Sequence, residues 1–284
     1  LPAGTGHFAE PIGTKSVFLK IPLSSGATGP SEKYRTARKM ESFDCALAVR
    51  LAAFAELTAD ERRTVNELVS RTARWLAPRE EIMSQGERPR AVHVIVDGWA
   101  VSTKQLIDGR RQIVNFLVPG DLCATNIYIL DRADHALAAL THARVASIGA
   151  ADFEAMMAAS PRIARALWWN ELSAASVQRE WTTSLGQRNA YERIAHLLCE
   201  LYMRLHAVGL TQRGGCEFPI TQNDLADATG LTSVHVNRTI QQLRHDGLIE
   251  LHDKRLIPND IKRLAEAGLF HPDYLHLAPS IHGG

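Results

Sequence analysis

Thr232, Ser233, His235, Asn237, Arg238 and Gln241 stand close together in the chain, and every one of these side chains can donate or accept a hydrogen bond. Among them Val236, Ile240 and Leu243 recur at i, i+4 and i+7, the apolar spacing of one helix face. A helix built this way buries the valine, isoleucine and leucine and turns the polar row outward. Amides, hydroxyls and a guanidinium on an exposed helix match the donors and acceptors that base edges offer in the major groove of duplex DNA. Arg238 carries a planar fork suited to a guanine or a phosphate, and Val234 adds an apolar side chain in the first turn.

The segments on either side position such a helix. Thr221 is an N-cap for a short helix whose Leu225, Ala226 and Thr229 face inward; Gly230 then supplies a turn, Leu231 plugs it, and Thr232 caps the helix Ser233 to His245. Two helices joined by so short a turn have helix-turn-helix spacing. Leu248 to Leu251, the tip His252-Asp253-Lys254, and Arg255 to Ile257 form two strands of a wing, with Lys254 placed for a phosphate. From Arg188 to Glu266 ten lysines and arginines face ten aspartates and glutamates. Affinity for phosphate must therefore come from the local placement of Arg238, Arg244, Lys254 and Arg255, from hydroxyls and from helix N-termini, and not from bulk charge. A winged module that contacts only protein is the alternative reading of the same segment.

Composition excludes several classes. The 284 residues are 45% hydrophobic and 22% charged, with a formal net charge of +1, the balance of a globular chain with more than one core. No apolar run approaches the ~20 residues of a membrane-spanning helix, and Lys15 to Ser25 is too broken for a signal peptide; the expected compartment is the cytoplasm. Cys45, Cys123, Cys199 and Cys216 form no C-x-x-C pair and no zinc-ligand spacing, so they read as reduced, buried thiols, and no metal or cofactor is expected. There is no phosphate-cradling glycine loop, no H-E-x-x-H and no glycine-flanked serine, hence no expectation of an enzyme.

Upstream, residues 1–39 are rich in Gly, Pro, Ser and Thr and are expected to be a flexible extension, with Met40 a candidate natural start. Leu57 to Leu76 has helical spacing, with Thr58 and Glu61 forming a capping box. After Pro78 the period becomes that of strands: Val92 to Val96, Trp99 to Thr103, Gln112 to Val118, stopped by Pro119-Gly120-Asp121, and Ala143 to Ile148. Asp97-Gly98 and Asp108-Gly109 both read as type I′ hairpin turns. An antiparallel roll over residues 40–158 follows, making the chain an α+β protein.

Ser160-Pro161 opens a long helix over residues 160–186. Its Ile163, Leu167, Asn170, Ala174, Val177 and Trp181 keep a roughly 3.5-residue spacing, which is expected to make a dimer seam with Asn170 as a register-setting polar pair. Packing of the same row on the chain's own roll is the alternative. Gly186 marks a break before the amphipathic helix of Tyr191, Ile194, Leu197, Leu198 and Leu201, which begins a DNA-binding domain over residues 187–270, and residues 271–284 are expected to be a tail.

From Met40 to about Leu269 the chain resembles the regulators grouped with the cyclic-AMP receptor protein and the fumarate and nitrate reduction regulator, the Crp/Fnr family. The resemblance rests on the Pro119-Gly120-Asp121 corner, the long helix, Leu225-Ala226, Gly230-Leu231-Thr232, Val236-Asn237-Arg238 and Asp246-Gly247-Leu248-Ile249. It implies a cyclic-nucleotide-binding-like β-roll, a dimerisation helix and a C-terminal winged helix-turn-helix. It also implies a homodimer on a two-fold symmetric operator with half-sites ~34 Å apart, and RNA polymerase as a partner.

The chain departs from the family in three places. Where cyclic-nucleotide binders carry Gly-Glu and then Arg-Ser or Arg-Ala, it has Ala124-Thr125 and His135-Ala136, so the arginine for a cyclic phosphate is missing and cyclic-nucleotide control is not expected. The N-terminal cysteine cluster of the iron-sulfur members is absent, and His93 and His142 read as structural rather than haem ligands. The family's usual glutamate in the recognition helix is Val234, so the operator should differ. A small-molecule effector of unidentified chemistry stays open, and the rival function is a ligand-sensing module acting through protein partners.

Overall fold

The computed structural model describes residues 44–125 and 131–277. The expected N-terminal extension and the Met40 start lie outside the described residues, as do residues 278–284.

Two short helices, α1 (Ala46–Ala52) and α2 (Ala59–Thr72), lead into the roll. The capping box of α2 is present: the Thr58 hydroxyl accepts from the Glu61 amide at 3.2 Å, and the Glu61 carboxylate accepts from the Thr58 amide at 2.7 Å. The helix stops at Thr72, short of the expected Leu76. Ala73–Leu76 is instead strand β1, held extended by antiparallel pairing from Ala73 opposite Ala146 to Leu76 opposite Ala143.

The roll is two antiparallel four-stranded sheets. One has the order β1-β8-β3-β6, with β3 Ala91–Asp97, β6 Leu122–Cys123 and β8 Ala143–Gly149. The other is β2-β7-β4-β5, with β2 Glu81–Met83, β4 Ala100–Gln105, β5 Arg111–Leu117 and β7 Ala136–Ala139. The two Asp-Gly pairs differ from expectation. Asp97-Gly98 joins β3 to β4, which lie in different sheets, so it is a corner and no hairpin. Gly98, at φ 73°, is needed there because a Cβ would sit 2.2 Å from the His142 carbonyl oxygen. Asp108-Gly109 does close a hairpin, between β4 and β5, but only the glycine has positive φ, so the turn is a three-residue loop closed by Leu106 N–H to Arg110 O and not type I′.

After α3 (Ala150–Ala159), the Ser160 hydroxyl caps α4 (Pro161–Gln187) by accepting from the Ile163 amide. This helix runs through Gly186, and the break falls at Arg188-Asn189 instead. Its expected seam is corrected by burial. Ile163, Leu167, Val177 and Trp181 are buried in their own chain and Ala174 half-buried, because this face of α4 packs on α1, the roll and α5 (Ala190–Ala207). Asn170 is buried as well, and its side chain accepts from Arg50 Nε at 2.8 Å within the protomer. The opposite face of α4 is exposed, with Trp168 at 71% and Leu172 at 63%.

The C-terminal portion has a four-stranded sheet, β11-β12-β10-β9, flanked by helices. Its strands are β9 Thr211–Gln212, β10 Gly215–Glu217, β11 Ile249–His252 and β12 Arg255–Pro258. After α8 (Ile261–Ala267), the segment expected to be a tail is packed as far as Leu277: Pro272–Leu275 forms a 3-10 turn, and Leu275 is 2% exposed. Tyr274 explains the docking, since its hydroxyl donates to the buried Glu200 at 3.0 Å and lies 3.0 Å from His196 Nε2.

Candidate nucleic-acid interface

Helices α6 (Gln222–Thr229) and α7 (Ser233–His245) form the helix-turn-helix. Thr221 caps α6 in a box with Asp224, and its hydroxyl both accepts from the Asp224 amide and donates to the Asp224 carboxylate. Gly230, at φ 66°, ends α6 in the left-handed conformation, the position a glycine fills most cheaply. Leu231 N–H then returns to Ala226 O, and the Thr232 hydroxyl accepts from the His235 amide at 3.2 Å to start α7.

The division of α7 into two faces is complete. Val236, Thr239, Ile240 and Leu243 are buried, whereas Val234, His235, Asn237, Arg238 and Gln241 are exposed and Ser233 is half-buried. Among the described residues no hydrogen bond or ion pair engages these outward side chains, which apart from Val234 form a polar surface beginning at the helix N-terminus, where peptide dipoles favour anions. Thr221 and Lys254 are exposed too, at the start of α6 and at the wing tip. The wing turn holds a positive-φ pair: Asp253 at 49° and Lys254 at 56° give the two-residue type I′ geometry that the Asp-Gly pairs do not adopt, as Arg213 at 50° and Gly214 at 74° do between β9 and β10. Phe218 N–H donates to Lys254 O at 2.7 Å and ties this tip to the domain body.

Several residues that hold this surface in place carry little sequence signal. Arg193 of α5 donates to the carbonyls of Ser184, Leu185, Arg188 and Thr229, pinning the end of α4 to the end of α6. Tyr191 donates to Asp246 at 2.7 Å; burial and that carboxylate push its phenol up to about 12, so it stays a donor and fixes the C-terminus of α7 to α5. The roll also reaches the reader directly. Arg111 of β5 grips Asp227 at 2.6 and 2.9 Å, and Gln112 donates to Ala228 O. Deeper in, Asp121 of the Pro-Gly-Asp corner pairs with Arg204 of α5 at 2.5 Å and with Arg50 of α1 at 2.7 Å, and it accepts from the Val118 amide at 2.8 Å. The corner motif marked Asp121 as a loop residue only; its partners lie far away in sequence.

The remaining chemistry is muted. Cys123, Cys199 and Cys216 are buried as expected and Cys45 only half-buried; desolvation raises all four thiols, Cys216 to about 12, so none is a thiolate at neutral pH. His93 lies against Ser147 Oγ at 3.1 Å, and burial holds its imidazole down at about 4, the state of a neutral core histidine. Thr125 hydrogen-bonds the Glu171 carboxylate, and His135 Nδ1 lies 2.8 Å from Asp134. Among the described residues no helix is long and apolar enough to cross a membrane.

Comparison with known proteins agrees with this geometry. The pattern of a Crp-like helix-turn-helix domain matches residues 192–267, and that of a cyclic nucleotide-binding domain matches residues 73–160. The transcriptional activator protein FnrL of Cereibacter sphaeroides is 30% identical over 227 residues, covering 78% of this chain and 90% of that protein. The nitrogen fixation regulation protein FixK of Azorhizobium caulinodans is 30% identical over 205 residues, covering 71% and 81%. Among solved structures, FixK2 from Bradyrhizobium japonicum matches with a TM-score of 0.61 and 26% identity, covering 69% of this chain and 96% of that one. With the roll, the long helix and the exposed reading face all in place, the chain belongs to the Crp/Fnr family and is a DNA-binding regulator of transcription.

Proposed function

We propose that the chain works as a homodimer that reads a two-fold symmetric operator through α7, as part of transcription by RNA polymerase in the cytoplasm. The observation that carries this reading is the outward row on α7, whose polar side chains have no hydrogen-bond or ion-pair partner among the described residues. Ser233, Val234, His235, Asn237, Arg238 and Gln241 meet base edges. Thr221, Thr232 and Lys254 meet backbone phosphates, with the committed hydroxyls of Thr221 and Thr232 leaving that work chiefly to helix N-terminal amides.

The dimer uses the face of α4 turned away from the roll. Arg165, Trp168, Leu172, Ala175, Arg179 and Thr182 alternate three- and four-residue steps, the heptad spacing of a helix that pairs with its own copy. The exposure of Trp168 and Leu172 supports this face over the buried row. Residues 40–158 then serve as a sensor-like roll, 160–186 as the dimerisation helix and 187–270 as the reader.

Cyclic nucleotide is not the signal. The corner where cyclic-nucleotide-binding members hold a ribose and cyclic phosphate has Thr125 hydrogen-bonded to Glu171 and His135-Ala136 in place of the phosphate-binding arginine pair, while the nearby Arg50 is already engaged by Asp121. An iron-sulfur cluster has no ligand set, and the buried thiols make a poor redox switch. An effector of other chemistry acts on the roll, or control is by abundance.

The test is selection of duplexes by the full chain from a randomised pool, followed by anisotropy titration of the selected duplex against a scrambled one. Tighter binding to a palindromic selected duplex supports the reading. Equal binding to both, in every ligand state, favours a module that acts through protein partners.

A further inference from the structure

Val234 is the outlier on the reading face. It is 72% exposed, one of the most exposed large apolar side chains among the described residues, and it sits in the first turn of α7. The buried row of α7 runs through Val236, Thr239, Ile240 and Leu243, so Val234 gives nothing to the core. A β-branched residue also gains little as a helix former, so local structure does not account for it. Every other outward side chain near it, Ser233, His235, Asn237 and Arg238, can hydrogen-bond.

In the major groove an apolar side chain has one complementary feature, the C5-methyl group of thymine. It can neither donate to the acceptors of guanine nor accept from the amino group of cytosine, which would lose water without gaining a partner. We infer that Val234 is a specificity-determining residue that selects thymine, by packing on its methyl group, and rejects cytosine at the same position. This rests on the placement of α7 in the major groove proposed above. Arg238 lies one helical turn further along the same face. With α7 lying along the groove, four residues rise about 6 Å, close to two base-pair steps, which puts the thymine about two base pairs from a guanine met by Arg238.

The experiment uses the full chain, wild type and Val234→Glu, each selecting from a pool of duplexes randomised across both half-sites. Wild type should enrich thymine at one position of each half-site, about two base pairs from an enriched guanine, and Val234→Glu should change that position to cytosine while the others hold. Replacing that thymine by deoxyuridine, which removes only the methyl group, should weaken wild-type binding about three- to five-fold and leave Val234→Glu unaffected. An unchanged selection by Val234→Glu, or no deoxyuridine penalty at any thymine, overturns the inference while leaving DNA reading intact. A wild-type selection that enriches nothing overturns the underlying DNA reading itself, and the inference with it. Because Val234 is exposed, the substitution does not threaten folding, and an unchanged thermal midpoint confirms that.

Discussion

Replacing Asp121 by Asn changes one atom and removes a charge that three elements share. The carboxylate is buried and neutralises Arg50 and Arg204 while accepting from the Val118 amide. The amide of asparagine keeps an acceptor for Val118 but leaves both guanidiniums without their common anion. Arg204 retains Glu200 at 3.1 Å, so it is partly compensated. Arg50 fares worse: burial and the neighbouring Arg204 already bias it against its charge, and among the described residues it keeps Asn170 in direct contact and Glu171 nearby. Breaking a buried pair this way costs ~3–5 kcal/mol. A cavity of about 30 Å³ lined by Arg50, Asp121, Asn170 and Arg204 has room for a water to solvate the exposed charge, which favours the lower end, about 3 kcal/mol. In urea titrations the midpoint of Asp121→Asn should fall by about 1 M at unchanged slope, for a slope near 3 kcal/mol per M. A loss under about 1 kcal/mol would instead mean that the network contributes no more than an exposed ion pair.

Four further outcomes are expected. Leu172→Asp, on the exposed face of α4, should give folded monomers in sedimentation with weakened operator binding, whereas dimers that persist would place the interface elsewhere. Val177→Asp should unfold the chain by several kcal/mol, since its site is interior to the protomer, and a normal melting temperature with loss of dimer would restore the seam reading. Gly98→Ala should destabilise by at least ~1–3 kcal/mol, since it adds both a backbone clash and a positive-φ penalty; a neutral result in thermal melts would contradict the sheet-to-sheet corner. Finally, burial lowers the imidazoles of His93 and His196 to about 4, so the unfolded chain binds more protons between that value and its ordinary ~6.5. Stability should therefore fall as pH drops through this window, by about 2 kcal/mol per histidine at pH 5, and His93→Gln should flatten the loss between pH 7 and 5.

What the sequence made legible followed from local chemistry. Thr232, Gly230 and the Val236, Ile240, Leu243 row each act within a turn or two, so the reading helix and its outward face emerge from residue types alone. The capping box at Thr58 and Ser160-Pro161 did so as well. Failures arose where two local readings compete and a distant contact decides. Asp97-Gly98 and Asp108-Gly109 look alike, yet one switches sheets and one closes a hairpin, because only the former has His142 above it. Helix α4 carries two rows at near-heptad spacing. The more apolar one, through Ile163, Leu167, Val177 and Trp181, is the one its own domains cover, so apolarity pointed to the interior and away from the free face. Tyr274, Arg111 and Asp121 act through partners that no spacing rule connects to them.

Sequence-specific regulation by this chain requires that α7 meet bases. Competition anisotropy on a selected duplex and a scrambled one, for wild type, Arg238→Ala and Lys254→Ala, measures this most directly. Arg238→Ala should lose ~1–3 kcal/mol on the selected duplex and little on the scrambled one, while Lys254→Ala should weaken both alike and flatten the salt dependence. If Arg238→Ala retains the wild-type ratio between the two duplexes, the face of α7 is not what reads the sequence.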